Sequence, residues 1–168
     1  MSRSVSEPPA RGSARIARPW YAWATPAIGK TVRVLSRLLH HGGSALPGRV
    51  VERFDPGFLA RTLDSVPYGV VLVSGTNGKT TTTRMIASML RDLGLRVFTN
   101  PTGSNFTRGV VSALSREVSL GGGLDADIAV LELDEAYAVH FVRQVRPRYS
   151  LLLNVMRDQL DRFGEIDN

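Results

Sequence analysis

Short apolar runs alternate with amphipathic stretches from residue 66 onward. Residues 70–73 form a continuous apolar run rich in β-branched side chains, typical of a buried parallel strand, and further strands are predicted at 96–99, 128–133 and 149–155. Helices are predicted between them, over 80–93, 108–118 and 135–145. Strands and helices that alternate in this way predict right-handed crossovers and a parallel sheet, so the expected fold class is α/β.

The first 65 residues follow a different pattern. Residues 1–18 are rich in Ser, Arg, Pro and Ala and have almost no large apolar side chains, so we expect a disordered tail. Apolar residues at spacings of four, three and four then predict an amphipathic helix over 27–41, namely Ile28, Val32, Leu35 and Leu39. Glycine and proline are expected to break this helix, at Gly42, Gly43, Pro47 and Gly48. We therefore expect a tail over 1–18, an N-terminal helical segment over 19–65 and one larger domain over 66–168.

The composition of the 168 residues limits the class of protein. The chain is 43% hydrophobic and 21% charged, which argues against general disorder, and its apolar runs are far shorter than the roughly 20 residues that span a bilayer. The absence of cysteine excludes a disulfide scaffold and cysteine-ligated zinc within these residues. No apolar stretch follows the early arginines, so a secretory signal is not expected, although the Arg- and Ser-rich start also resembles an organelle transit peptide.

The formal net charge of +6 is unevenly distributed. Residues 1–40 hold seven basic side chains and one acidic one, and the rest of the chain is neutral, so a nucleic-acid partner is not expected. The basic residues of the first predicted helix lie off its apolar stripe and follow a cluster of aromatic residues: Lys30, Arg33 and Arg37 after Trp20, Tyr21 and Trp23. Two interpretations stay open, a helix on an anionic membrane surface and an ordinary amphipathic helix packed on the next domain.

The strongest chemical signal is a glycine-rich turn between the strand at 70–73 and the next helix: Gly75, Thr76, Asn77, Gly78, Lys79, Thr80 and Thr81. Its glycines let the backbone turn tightly and point N–H groups at a polyphosphate, to which the helix N-terminus adds partial positive charge. Lys79 supplies a full charge to the outer phosphates, and the Thr80 hydroxyl is placed to bind Mg²⁺. The pattern G-x-x-x-x-G-K-[ST] is not met because residue 73 is Val, so the strand before and the helix after carry the prediction. The alternative is a plain loop and helix cap.

Carboxylates at neighbouring strand ends are candidate metal ligands. Glu132 lies near the end of the strand at 128–133, where an acid among apolar residues is costly to bury unless it meets a cation. The alternative is an exposed Glu132 on an edge strand. Asp134 and Glu135 follow, as caps of the next helix or as part of the site. A third cluster after the last strand either contacts metal or water or begins a surface helix: Asp158, Gln159 and Asp161.

At these residues the chain resembles the Mur ligase superfamily, whose members use ATP to convert a carboxylate into an acyl phosphate that an amine then attacks. The run 75–82 is similar to the phosphate loop of that superfamily, and Glu132 matches its magnesium-binding glutamate. Three further stretches, 99–105, 131–136 and 154–165, resemble the MurT family, the ligase-like subunits of lipid II isoglutaminyl synthases. Gln159 stands where amino-acid-adding Mur ligases usually have a metal-site histidine.

The resemblance implies a P-loop nucleotide-binding fold that uses ATP and Mg²⁺, with Lys79 and Glu132 as catalytic residues and the metal held by Thr80 and Glu132. It implies amidation of the D-glutamate α-carboxylate of lipid II, with ammonia that a GatD-type glutaminase subunit releases from glutamine. Substrate contacts are implied at Asn100, Thr102, Gly103, Ser104, Asn105, Asp158 and Gln159. The alternatives are an amino-acid-adding Mur ligase and a non-catalytic ATP-binding module.

The resemblance covers roughly residues 27–168. It implies that residues 66–168 are an incomplete ATP-binding central domain, which in MurT proteins is followed by a four-cysteine zinc ribbon and a C-terminal domain. We therefore expect residues 1–168 to be inactive by themselves. The expected location is cytoplasmic, with peripheral contact to the inner membrane face through the basic first helix.

Overall fold

The computed structural model describes residues 19–38, 46–100, 107–120 and 122–155, and the predicted tail over 1–18 lies outside them. The N-terminal segment contributes a 3₁₀ turn at Trp20–Trp23, α1 at Ala24–Leu38, α2 at Leu46–Phe54 and α3 at Phe58–Asp64. The elements that follow are β1 at Val70–Ser74, α4 at Lys79–Asp92, β2 at Val97–Thr99, α5 at Thr107–Glu117, β3 at Ile128–Leu133, α6 at Glu135–Gln144 and β4 at Tyr149–Leu152.

The four strands form one parallel sheet in the order β2-β3-β1-β4. The predicted α/β fold with a parallel sheet is thereby confirmed, and the strands and helices predicted after residue 66 are present to within a few residues at their ends. β1 and β3 are the two central strands, and their register pairs Val73 with Glu132. The carboxyl ends of β1 and β3 therefore meet at one edge of the sheet, next to the glycine-rich turn.

Helices cover both faces of the sheet because strand side chains point alternately to one face and the other. The larger core joins one face to α3, α5 and α6, through side chains that include Leu63, Leu72, Leu114, Leu131 and Phe141. The smaller core joins the other face to α4, through side chains that include Val73, Ile86, Leu90 and Val130. Because Glu132 follows Val130 by two residues on β3, it faces α4.

The N-terminal helices pack on the larger core through α5. α1 contacts both α2 and α5, in agreement with the interpretation of the first helix as one that packs on the neighbouring domain. A buried network ties the start of α1 to the turn between α2 and α3: Thr25 Oγ1 donates to Asp55 Oδ2 at 2.7 Å, and the Arg61 guanidinium pairs with the same oxygen. None of the helices in the described ranges combines the length and apolar character that crossing a bilayer requires.

α1 ends at Leu38, before the glycine and proline residues that are expected to break the first helix. Two of these residues, Pro47 and Gly48, lie in the first turn of the next helix, α2, where proline is tolerated because the N–H groups have no partner inside the helix. Gly48 is needed there for packing, since a Cβ at this position would overlap the Arg108 carbonyl oxygen of α5.

Candidate nucleotide-binding site

The turn at 75–78 joins the end of β1 to the start of α4. Gly75 and Gly78 have φ angles of +137° and +84°, in the region where residues with a side chain are strained. Gly75 also lies against the neighbouring strand, because a Cβ on it would be 2.9 Å from the Asn154 carbonyl oxygen. Gly78 is the N-cap of α4 and offers no capping side chain, so this helix start is suited to binding an anion through its N–H groups.

Asn154 holds the turn in place from the end of β4. The Thr76 N–H donates to the Asn154 carbonyl oxygen at 2.8 Å, and the Asn77 N–H donates to Asn154 Oδ1 at 2.8 Å. Asn154 Nδ2 donates in return to the Asn77 carbonyl oxygen at 3.1 Å. This role of Asn154 could not be predicted from the sequence, because it depends on the pairing of β4 with β1 that brings Asn154 to the turn.

Lys79 lies folded over the turn. Its Nζ donates to the carbonyl oxygens of Gly75 and Thr76, the latter at 3.0 Å, and forms an ion pair with Asp134 at 3.1 Å. The side chains of Lys79 and Asp134 are only 10% and 5% exposed. Because an ammonium group has three donors, the turn and Asp134 together satisfy it. A phosphate at this turn would therefore compete with Asp134 for Lys79.

Asp134 and Glu135 belong to the site. Asp134 occupies the N-cap position of α6, but its side chain makes no capping hydrogen bond. Glu135 Oε1 accepts a hydrogen bond from Thr76 Oγ1 at 2.6 Å, and its Oε2 is buried without a hydrogen-bond partner among the described residues. Of the two possibilities that the sequence leaves open for these acids, the contacts favour a role at the turn.

Glu132 is buried on a central strand, so the alternative of an exposed acid on an edge strand is wrong. It lines a cavity of about 200 Å³ between α4 and the carboxyl ends of β2 and β3, which we call the α4 groove. The α4 wall of the groove consists of Thr80, Thr83, Arg84, Ala87 and Arg91, and the strand wall consists of Thr99, Asn100 and Glu132. The predicted metal ligands Thr80 and Glu132 are thus brought to the same cavity.

Asn100 fixes the backbone of Glu132. Asn100 Nδ2 donates to the Glu132 carbonyl oxygen at 2.9 Å, and the Glu132 N–H donates to Asn100 Oδ1 at 2.9 Å. These two bonds continue the β2–β3 pairing one residue beyond Thr99. The resemblance assigns Asn100 to substrate binding. Asn100 lines the groove, but its side-chain amide is hydrogen-bonded to the backbone of Glu132.

The other predicted substrate residues lie outside the described ranges: Thr102, Gly103, Ser104, Asn105, Asp158 and Gln159. Asp161 is also outside them, so the third acidic cluster stays a prediction. Thr81 is described and is exposed in the first turn of α4, close to the proposed phosphate position.

The chemistry of the groove fits Mg²⁺ bound with a triphosphate. Mg²⁺ prefers oxygen ligands and keeps several waters, so one hydroxyl from Thr80 and one carboxylate from Glu132 suffice beside phosphate oxygens. Thr83 Oγ1 is buried in the same wall and has no hydrogen-bond partner among the described residues. In the described ranges, no group of three or more His, Cys, Asp or Glu side chains gathers as a metal site. Two protein ligands, Thr80 and Glu132, suit a metal ion that also binds phosphate oxygens.

Comparisons with known proteins converge on one family. The family model for the Mur ligase middle domain matches residues 73–168, which include the turn, Glu132 and Asn154. The chain is 41% identical over 133 residues to the lipid II isoglutaminyl synthase (glutamine-hydrolyzing) subunit MurT of Streptococcus pneumoniae, a match covering 79% of this chain and 28% of that protein. Its identity to the same subunit of Staphylococcus aureus is 34% over 145 residues, covering 86% of this chain and 32% of that protein.

Amino-acid-adding ligases are also similar to this chain. The UDP-N-acetylmuramoylalanine–D-glutamate ligase of Desulfotalea psychrophila is 34% identical over 110 residues, covering 66% of this chain and 22% of that protein. The chain spans about a third or less of the length of each of these relatives.

Proposed function

The chain belongs to the Mur ligase family, and on that premise we propose that it provides the ATP-binding site of a carbon–nitrogen ligase in peptidoglycan synthesis. The observation that carries this proposal is the arrangement of the turn at 75–78 and the α4 groove. The start of α4 and Lys79 lie at the turn, and Thr80 lines the same cavity as Glu132, the buried carboxylate of the neighbouring strand. This set of groups suits a nucleotide triphosphate with its metal ion.

The proposed roles of the residues follow from their positions. The N–H groups at the start of α4 bind phosphate oxygens. Lys79 breaks its ion pair with Asp134 and neutralises the phosphoryl group that is transferred. Thr80 and Glu132 would hold Mg²⁺, which when bound adds charge neutralisation worth several kcal/mol in such reactions. Asn154, Asp134 and Glu135 keep the turn in shape through the contacts described above.

The proposed reaction is amidation of the D-glutamate α-carboxylate of lipid II. A carboxylate oxygen attacks the γ-phosphorus of ATP and releases ADP, and ammonia then attacks the acyl carbon of the resulting acyl phosphate and releases phosphate. The glutamine-hydrolyzing subunit names of the similar proteins support glutamine as the source of ammonia, and we propose a GatD-type partner subunit that releases it. We place this activity in the cytoplasm, at the inner membrane face where a lipid-linked substrate is accessible.

The test is an amidation assay with lipid II, glutamine and Mg·ATP, using the full-length protein with its glutaminase partner. Lys79→Ala is expected to lower turnover by at least about a hundredfold, because the transferring phosphoryl group loses its fixed cation. Lys30→Ala removes the other lysine of the chain, away from the turn, and is the matched control. Turnover by Lys79→Ala close to that of Lys30→Ala would refute the proposal.

A second candidate is an amino-acid-adding ligase, which the identity to the D-glutamate ligase supports. Both reactions start with the same phosphoryl transfer. They differ in the amine that then attacks the acyl phosphate, which is ammonia in one and a free amino acid in the other. The same assay with ammonia and with free amino acids as competing acceptors decides: we expect the amide product, and a product that contains the added amino acid would favour the second candidate. A protein that binds ATP and forms neither product would instead be a non-catalytic module.

A further inference from the structure

Thr83 of α4 carries a buried hydroxyl group that the fold leaves without a partner. The residue is 4% exposed, and its Oγ1 makes no hydrogen bond within the part of the chain that the structure describes. Burial of a hydroxyl without a hydrogen bond costs free energy, and for this reason most buried hydroxyls in proteins are paired. An unpaired hydroxyl beside a proposed binding site therefore points to a group that is bound there.

Thr83 lines the same cavity as the two proposed metal ligands. Thr80 and Thr83 are three residues apart on α4, so they lie on one face of the helix. Glu132 lines the cavity from β3, on the strand wall. Because Thr83 Oγ1 has no hydrogen-bond partner among the described residues, it is not bonded directly to Glu132. A small molecule between the two walls of the groove would contact both side chains.

The position of Thr83 along α4 separates it from the proposed phosphate contacts. The N–H groups that are free to bind an anion belong to the first four residues of a helix, and Thr83 is the fifth residue of α4. It lies about 4.5 Å further along the helix axis than Thr80. We therefore expect the partner of Thr83 beside Glu132 in the groove and not at the turn.

The coordination chemistry of Mg²⁺ supplies a suitable partner. Mg²⁺ prefers six oxygen ligands and gives up its waters reluctantly, so Thr80, Glu132 and phosphate oxygens leave positions that water fills. A water ligand has two protons to donate, and a threonine hydroxyl oxygen can accept one of them. Groups that hydrogen-bond the ligands of a metal fix the orientation of those ligands and raise the affinity for the metal.

We propose that Thr83 is a positioning residue for the metal ion, because its hydroxyl oxygen accepts a hydrogen bond from a water ligand of Mg²⁺. The hydroxyl thus destabilises the free protein and stabilises its complex with Mg·ATP. This inference rests on the proposed function, and it adds a residue beyond the glycine-rich turn to the groups that hold the metal.

The test is isothermal titration of the full-length protein and its glutaminase partner with ATP, with and without Mg²⁺. Thr83→Val is expected to reduce the gain in affinity from Mg²⁺ about fivefold, which is about 1 kcal/mol for one hydrogen bond, and to leave binding of ATP alone within about twofold. Without ligand, its unfolding temperature is expected to equal or exceed that of the wild type, because valine has the same shape and buries no unpaired hydroxyl. Thr83→Ser keeps the hydroxyl and is expected to keep the gain from Mg²⁺.

Thr25→Val is the matched control, since it removes a buried hydroxyl that has a partner. Thr25 Oγ1 donates to Asp55 Oδ2 at 2.7 Å, at the start of α1. This variant is expected to lower the unfolding temperature, because Asp55 loses a donor, and to leave the gain from Mg²⁺ unchanged. The two threonine-to-valine variants are thus expected to have opposite effects on stability and on metal affinity.

Three results would contradict the proposal in different ways. A gain from Mg²⁺ that is the same in Thr83→Val and in the wild type would overturn this inference alone, also if Thr83→Val raised KM for lipid II, since Thr83 would then contact the substrate. An unfolding temperature that falls in Thr83→Val as far as in Thr25→Val would overturn it too, because the hydroxyl would have a partner inside the protein. A wild-type complex that does not bind Mg·ATP would refute the proposed function and this inference with it.

Discussion

Lys79 and Asp134 form an ion pair that is almost completely removed from solvent, at the centre of the proposed phosphate site. Such a pair contributes little net stability compared with apolar packing, but loss of one partner leaves an uncompensated charge in a poorly solvated place. The pair therefore holds Lys79 over the turn, and a triphosphate can take the place of the carboxylate. Asp134 is thus a positioning residue for the lysine.

Asp134→Asn is expected to lower the free energy of unfolding by about 1–3 kcal/mol, because Lys79 keeps its two carbonyl acceptors and loses its counter-charge. Saturating Mg·ATP is expected to reduce the difference from the wild type, because phosphate oxygens replace the missing carboxylate. Chemical denaturation with and without Mg·ATP measures both effects. A difference that is the same in both conditions would show that Asp134 has no connection with the nucleotide.

The two glycines at 75 and 94 allow backbone strain to be separated from close packing. Both have positive φ angles, +137° and +88°, but a Cβ on Gly75 would lie within 3.1 Å of three atoms of Leu153 and Asn154, whereas a Cβ on Gly94 would meet nothing within 4 Å. Gly94→Ala is expected to cost about 1 kcal/mol of stability and to leave ATP binding unchanged. Gly75→Ala is expected to cost more and to weaken ATP binding at least tenfold, because the turn moves away from Asn154. Equal effects of the two variants, by denaturation and ATP titration, would contradict the described turn.

The residues that share a short motif could be predicted from the sequence, and their partners could not. Gly75, Gly78, Lys79 and Thr80 follow one another, so local chemistry identifies them, and Glu132 is conspicuous as an acid in an apolar strand. The partners of the turn are Asn154, Asp134 and Glu135, which lie 55 or more residues away along the chain. Their contacts depend on which strands are neighbours, and alternating hydrophobicity does not determine that order.

At the scale of elements, the groove depends on the pairing of the short edge strand β2 with β3. β2 has only three residues, and side chains strengthen both of its ends. Asn100 binds the Glu132 peptide at the carboxyl end, and Arg96 pairs with Asp125 and Asp127 at the amino end. The hydrogen bond from Arg96, against a smaller effect of burial, lowers the pKa of Asp127.

Asp127→Asn is expected to flatten the acid side of the stability–pH curve. Because the folded-state pKa of Asp127 lies below its unfolded value of about 3.9, this carboxylate stabilises the fold above that value, and the stabilisation is lost as the pH falls through the folded pKa. Glu117→Gln is the comparison variant, because the pKa of Glu117 is shifted in the opposite direction from that of Asp127. Burial raises its pKa, so its contribution declines as the pH rises from about 4.3 toward the folded value, and the substitution is expected to increase stability at pH 7. Chemical denaturation between pH 2 and pH 7 measures the stability of both variants. A loss of stability at acid pH that is the same in Asp127→Asn and in the wild type would contradict the contact between Arg96 and Asp127.

The bounds of α2 within the N-terminal helical segment could not be predicted from the sequence. α2 contains Pro47 and Gly48, which usually interrupt helices, and its stability comes from tertiary contact with α5. Gly29 of α1 similarly lies against Ser115, where a Cβ would be 2.9 Å from the serine Cβ. At Pro47 and Gly48 local propensity disfavours a helix, and the packing of α2 against α5 decides the outcome.

For the molecule as a whole, the α/β class followed from the alternation of strands and helices, whereas the strand order required the structure. That order places β1 and β3 side by side, so the turn and Glu132 share one crevice at the carboxyl edge of a parallel sheet, where ligands of this class of fold bind. The chain spans about a third or less of its relatives, so its proposed contribution is the nucleotide end of a larger active site.

Isothermal titration with ATP, with and without Mg²⁺, measures whether Lys79 and Glu132 form one site for Mg·ATP. The wild-type chain is expected to bind ATP with one site and with higher affinity when Mg²⁺ is present. Lys79→Ala is expected to weaken binding at least tenfold in both conditions, because the cation for the phosphates is lost, whereas Glu132→Gln is expected to abolish only the gain that Mg²⁺ provides. ATP binding that is unchanged in Lys79→Ala, or a gain in affinity from Mg²⁺ that persists in Glu132→Gln, would refute the proposed Mg·ATP site.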